Sequence, residues 1–224
     1  MVGFFILMIV AVSYKLVPMF MLTEVQSARR AAWSLGLINA GLLGVFLTVL
    51  FGSALKLAAG LVLVAGLAVY GVEVSAMLRA RKRRSYDWGL RYFFTALVLL
   101  APLAALGIAL ALPWRETTEL LAQLENVYGL IALLGVVTLA ILGMLYKIVP
   151  FLVWYASYSK AIGRHKVPAV ADMYSARWQA VGYWPYLLGL GVLCGAAALQ
   201  SEVGVRVGAG LLLASLAAYA VNLA

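Results

Sequence analysis

Apolar runs long enough to cross a lipid bilayer follow one another along almost the whole chain. A hydrocarbon core of roughly 30 Å takes about 20 helical residues to span, and backbone N–H and C=O groups inside it must all find partners. Continuous runs of this kind fold as helices; a membrane β-barrel needs alternating apolar and polar positions instead. Seven spans are expected, about Val2 to Leu22, Ala31 to Phe51, Leu55 to Leu78, Trp88 to Leu112, Val127 to Tyr155, Val181 to Leu199 and Val203 to Leu223. The fifth is long enough to tilt or to protrude. With 66% hydrophobic residues, 11% charged ones and a mean hydropathy of +1.03, the composition lies far from that of a soluble domain. The expected class is all-α: a polytopic transmembrane helical bundle with the lipid bilayer as its first partner.

The net charge is +9, from 17 Lys and Arg against 8 Asp and Glu. The cations gather between the apolar runs, which is the pattern of cytoplasmic loops rather than of a nucleic-acid surface. Nucleic acid is therefore not an expected partner. The Arg79-Ala80-Arg81-Lys82-Arg83-Arg84 loop is placed inside. Counting spans from it puts Trp114 to Glu125 outside, where Glu116, Glu119 and Glu125 oppose only Arg115. The same count puts Arg29, Arg30, Lys160, Arg164, Lys166 and Arg177 inside, with the N-terminus outside and the C-terminus cytoplasmic. Cys194 is the one cysteine and His165 the one histidine. A disulfide within the chain and a cysteine-based metal site are excluded. So are a haem held by two histidines and a copper held by three. No H-E-x-x-H, P-loop or dinucleotide fingerprint occurs, and no catalytic or metal-ligating residue is assigned.

Inside these runs one motif occurs twice. Gly3 to Phe20 (GFFILMIVAVSYKLVPMF) and Gly135 to Leu152 (GVVTLAILGMLYKIVPFL) share Gly3/Gly135, Leu7/Leu139, Ile9/Ile141, Tyr14/Tyr146, Lys15/Lys147, Val17/Val149 and Pro18/Pro150. Three spans separate them, so both run from outside to inside, and the expected repeat is a parallel unit of four helices. Ser27-Ala28-Arg29 and Ser175-Ala176-Arg177 echo it, as do Gly60 to Tyr70 and Gly210 to Tyr219. The offset grows to about 150 because the second cytoplasmic loop is longer. Expected domains are 1–112 as a first unit, 113–125 as an outside loop and 126–224 as a three-helix second unit. Val127 to Leu134 precede the second motif and only Met1 and Val2 the first. A trimmed duplication, or a chain that begins at an internal start, is the expectation.

Candidate residues follow from polarity inside apolar runs. Lys15 and Lys147 read first as snorkelling side chains that cap carbonyls freed by Pro18 and Pro150, and second as members of a proton path or an internal ion pair. Tyr14 and Tyr146 read as aromatic-belt or packing residues before redox or relay ones, with Phe151, Trp154, Tyr155 and Tyr158 completing a belt. Glu73 is expected to pair with Arg91, and Asn39 to bond between helices. Gly36, Gly41, Gly44, Gly182, Gly189, Gly191 and Gly195 are expected at close helix contacts. His165 reads as solvated.

The Tyr-Lys-Ile-Val-Pro-Phe-Leu-Val-Trp run from Tyr146 to Trp154, preceded by Tyr128-Gly129-Leu130 and Gly135, resembles the haem–copper oxidase subunit I superfamily. The closer likeness is to divergent bacterial cbb3-type oxidase subunit I-like proteins. Tyr14-Lys15-Leu16-Val17-Pro18-Met19-Phe20 has the same character. The resemblance implies helices in pseudo-symmetric arcs of four, a bacterial inner membrane and a respiratory context. In relatives the run equivalent to Gly3–Phe20 tends to follow a histidine-bearing helix start, and the matching place before Gly135 here holds Glu125-Asn126-Val127. The metal ligands are thus missing. The resemblance implies a truncated or non-catalytic subunit that works with a membrane-protein partner, with haem only through that partner or through a missing N-terminal part. A small-solute or ion transporter and an assembly subunit are the alternatives.

Overall fold

The computed structural model describes residues 2–82, 86–112, 118–159 and 167–223. Arg83 and Arg84 of the basic loop, Trp114, Arg115 and Glu116, and Lys160, Arg164, His165 and Lys166 lie outside the described residues. Among those described, the elements are all helical: α1 (Val2–Met21), α2 (Ala28–Leu50), α3 (Lys56–Arg79), α4 (Trp88–Ala111), α5 (Glu119–Leu130), α6 (Leu139–Tyr158), α7 (Ala176–Ala198) and α8 (Glu202–Leu223). A π-helical stretch, Ile131–Thr138, joins α5 to α6, and a single 3-10 turn, Val170–Met173, precedes α7.

Among the described residues, seven helices are long and apolar enough to cross a membrane. Six match the expected spans to within a few residues. The fifth, formed by α5, the π stretch and α6 together, starts at Glu119 and runs 40 residues. At 1.5 Å per residue that is about 60 Å, roughly twice a hydrocarbon core. The outside loop expected over Trp114 to Glu125 is therefore helical from Glu119 onward. Its Leu, Ala, Gln and Glu residues are strong helix formers, and Glu119 sits in the first turn, where a carboxylate favours the helix dipole. Hydropathy marks only the part of a helix that needs lipid, so this extension was invisible to it.

The residues cluster into two compact units, Met1–Ser85 with Leu99–Tyr128, and Tyr86–Val98 with Gly129–Ala224. In the first unit, Ile6, Val10, Ser13, Val17 and Met21 recur every three or four residues along α1 and are all buried. That is the stripe a helix presents to its neighbours. Helices α2 and α3 pack backbone to backbone: a Cβ added at Gly41 would meet the Leu63 Cα at 2.5 Å, and one at Gly66 the Ile38 N at 2.7 Å. In the second unit, α7 and α8 approach as closely. A Cβ at Gly189 would meet the Gly208 O at 3.0 Å, and one at Gly208 the Leu193 N at 2.8 Å. There too Gly89 of α4 and Gly143 of α6 face each other, a Cβ at Gly143 meeting the Gly89 O at 2.6 Å. Of the glycines expected at helix contacts, Gly41, Gly44, Gly182 and Gly189 make them, whereas Gly36, Gly191 and Gly195 have open space where a side chain would stand.

α2 and α7 are each 23 residues long and are bounded alike. Ser27 and Ser175 stand at their N-caps. At the far end the Phe51 N donates to the Leu47 O and the Leu199 N to the Gly195 O, both at 3.0 Å. Ser53 N bonds Thr48 O at 2.8 Å, and Ser201 N bonds Ala196 O at 2.9 Å. Between these bonds Gly52 and Gln200 take left-handed backbone, at φ +60° and +53°. Both ends are Schellman-type stops.

Candidate functional site

Each unit gathers its polar side chains where the motif helix meets the start of the next helix. In the first unit the centre is Glu73, whose side chain is fully buried. Its Oε1 accepts the Ser27 N–H at 2.9 Å, and its Oε2 accepts the Arg30 Nε–H at 2.6 Å. Ser27 in turn caps α2 by accepting the Arg30 N–H at 3.3 Å. A carboxylate without water is stable only when paired and hydrogen-bonded, and both of its oxygens are. Arg30, not Arg91, is thus the partner of Glu73. Arg91 lies over the Trp88 ring, one turn back on α4, at 4.3 Å. The sequence marks Arg30 only as a loop charge; its bond to Glu73 of α3 is set by the tertiary fold.

Above Glu73, Tyr14 of α1 and Tyr70 of α3 meet edge to face at 5.5 Å. The Ser34 hydroxyl donates to the Ala31 O at 2.9 Å, so the 2.6 Å bond between Tyr14 and Ser34 is donated by the tyrosine. By the same accounting Tyr70 donates to Ser13 at 2.7 Å, because Ser13 gives its proton to the Val10 O. Tyr14 is therefore a packed, hydrogen-bonded residue. Lys15 is exposed, and Pro18 lies inside α1. Asn39 bonds its own helix, donating to the Leu35 O at 2.8 Å, and is exposed; the expected bond between helices does not form.

In the second unit Tyr146 is 1% exposed, so it is a core residue and not part of a surface belt. Its ring lies 4.5 Å from that of Tyr219 on α8 and 5.6 Å from that of Tyr92 on α4. Three residues after Tyr219, the Asn222 Oδ1 accepts the Ser175 N–H at 3.0 Å. This is the place that Glu73, three residues after Tyr70, takes toward Ser27. Lys147 forms an ion pair with Asp87, and its side chain is 11% exposed. Of the readings for the two lysines, Lys147 takes the internal ion pair. Asp87 also caps α4, accepting the Leu90 N–H at 3.1 Å. An aspartate directly before Trp88 and an apolar run is an N-cap signal, so Asp87 could have been found; its lysine partner could not. Pro150 is buried within α6.

Around this centre the Tyr92 hydroxyl donates to the Gln179 O at 3.4 Å, and Ser215 donates to the Gly182 O at 2.6 Å. Tyr183 bonds Thr95 at 2.7 Å. Tyr186 donates to the Leu134 O at 2.8 Å, which satisfies a carbonyl of the π stretch. Phe151 and Tyr155 are half exposed and stacked at 6.2 Å, in keeping with a belt, while Trp154 donates to the Pro168 O at 2.7 Å.

The first unit also holds a cavity of about 330 Å³ lined by Ile6, Val45, Leu63 and Leu103, with Lys56 and Tyr128 as its polar groups. Among the described residues no group of three or more His, Cys, Asp and Glu side chains is placed to hold a metal ion. Cys194 stands alone, half-buried in α7. No family model, curated protein or solved structure matches the chain.

Proposed function

We propose that this chain is a non-catalytic subunit of the haem–copper oxidase subunit I type, seated beside a partner in the respiratory assembly of a bacterial inner membrane. The observation that carries this reading is the twofold use of the Tyr-Lys-x-Val-Pro helix. In each unit its tyrosine packs on a tyrosine of the third helix, Tyr14 on Tyr70 and Tyr146 on Tyr219. In each unit the polar group one turn further on, Glu73 or Asn222, then takes the backbone N–H of the capping serine. Two such sets in chain order support a parallel repeat, which is the architecture the resemblance implies. The lysines, prolines and tyrosines of the motif then serve as scaffold.

The residues present do not fit haem or copper. The chain has one histidine and one cysteine, and neither has a second ligand of its kind. No chemistry through a metal is assigned to this chain. Transport of a small solute is a second reading, favoured by the cavity beside Lys56.

The test is purification of the chain from its native membrane in mild detergent, followed by optical spectroscopy and native mass measurement. The expected result is co-purification with a larger membrane complex, with no Soret band once the chain is separated from it. A Soret band retained by the isolated chain would overturn the non-catalytic assignment. A free chain stabilised against heat by a small solute would favour transport.

A further inference from the structure

The two polar centres differ in one respect. In the first, the tyrosine and carboxylate tips all have partners: Tyr14 has Ser34, Tyr70 has Ser13, and Glu73 has Ser27 and Arg30. In the second unit the Tyr146 hydroxyl, the Tyr219 hydroxyl and the Asn222 Nδ2 are buried and have no hydrogen-bond partner in the protein. The positions that would have supplied partners have changed. Counted from the capping serine, Ser34 corresponds to Gly182 and Arg30 to Trp178; counted from the motif tyrosine, Ser13 corresponds to Leu145. The two serine hydroxyls give way to no side chain and to a leucine, and the guanidinium to an indole.

Two of the orphaned groups belong to packed rings, and the third lies about one turn from Tyr219 on α8. The Tyr146 and Tyr219 rings are 4.5 Å apart. The Asn222 side chain lies close to the Tyr146 hydroxyl. Tyr146 itself is 1% exposed. A buried polar group left bare is costly, and an apolar surrounding worsens this. Native proteins relieve such a cost with a buried water that makes about three hydrogen bonds.

We propose that Tyr146, Tyr219 and Asn222 form a binding site for an internal water molecule in the second unit. The donor and acceptor balance fits one water. It accepts from the Asn222 amide and from one tyrosine hydroxyl, and donates to the oxygen of the other. The niche does not depend on the oxidase-like reading. It assigns a water to the place where the first unit uses serine hydroxyls.

Radiolytic footprinting of the purified protein tests this. A brief X-ray pulse makes hydroxyl radicals from bound water, and oxidation is then read at each tyrosine by mass spectrometry. Tyr70 is the internal control, because it is 2% exposed and bonded to Ser13. Tyr146 is expected to oxidise several-fold faster than Tyr70. Equal or slower oxidation of Tyr146 would overturn the proposal. Asn222→Leu removes one of the water's donors and is expected to slow Tyr146 oxidation toward the Tyr70 rate; an unchanged rate would also count against the site. If this variant fails to fold, the wild-type comparison of the two tyrosines still decides.

Discussion

Gln200 carries a backbone conformation that suits another residue. At φ +53° it closes α7 in the left-handed region, where a Cβ crowds the following carbonyl. Gly52 closes α2 in the same way without that cost. Gln200→Gly is therefore expected to stabilise the chain by about 1 kcal/mol, set by the left-handed penalty less the entropy that glycine brings to the unfolded chain. Gly52→Gln should lose a similar amount. Thermal unfolding in detergent, followed by circular dichroism, reads both; a lower midpoint for Gln200→Gly would contradict the argument. At this scale the sequence was readable wherever polarity stood out against lipid-grade surroundings. Tyr14, Tyr146, Lys147 and Glu73 all proved to sit in hydrogen-bonded, ion-paired or closely packed centres. Their partners were not readable, because partner choice depends on which helices meet. Arg30 lies in the first turn of α2 and Asp87 caps α4, and nothing in their own spacing announces Glu73 or Lys147. Asn39 is a similar case: it is exposed and bonds its own helix.

Among the helices, small residues mark close contacts only when they share the right phase. Residues in a helix advance by about 100° each, so Gly36 and Gly41 point about 140° apart. Gly41 faces the Leu63 backbone, whereas Gly36 faces open space. Gly189 and Gly191 differ in the same way in α7. A list of glycines thus shows that some helix approaches closely, and the phase of the neighbouring buried residues is needed to say which of them it meets. Gly41→Ala places a methyl group against backbone that cannot turn aside, so α2 and α3 must separate. Its expected cost is about 1–3 kcal/mol, the range for overpacking a tight contact. Gly36→Ala, with the same gain in helix propensity and no clash, should be neutral or slightly stabilising. Guanidinium or thermal titration of the two variants in the same detergent measures the difference, and equal stability would show that the α2–α3 contact has room to give.

For the chain as a whole, seven crossings were legible because a hydrocarbon core imposes length and apolarity on whatever spans it. The start of the fifth span at Glu119 was not, because beyond the lipid a helix has no need to be apolar. The direction of the crossings rests on charge. Arg79 ends α3 and Arg81 and Lys82 follow it in a basic loop, while Glu119 and Glu125 stand at the start of the fifth span. Lys and Arg are retained on the cytoplasmic side far more strongly than acidic residues are excluded from it, so the basic loop is expected inside. Cys194 is the one native cysteine, so Cys194→Ala gives a background free of thiols. In that background, Thr118→Cys and Lys82→Cys place single thiols at exposed positions at opposite ends of α4. A membrane-impermeant maleimide added to intact cells, or to spheroplasts if an outer membrane blocks it, is expected to label the Thr118→Cys protein. The Lys82→Cys protein should react only after the membrane is permeabilised. The reverse pattern would turn the molecule over, putting the N-terminus inside, and both Tyr-Lys-x-Val-Pro helices would then run from the cytoplasm outward. Labelling of both thiols in intact cells would break the seven-crossing count itself, because α4 would then not separate the two compartments.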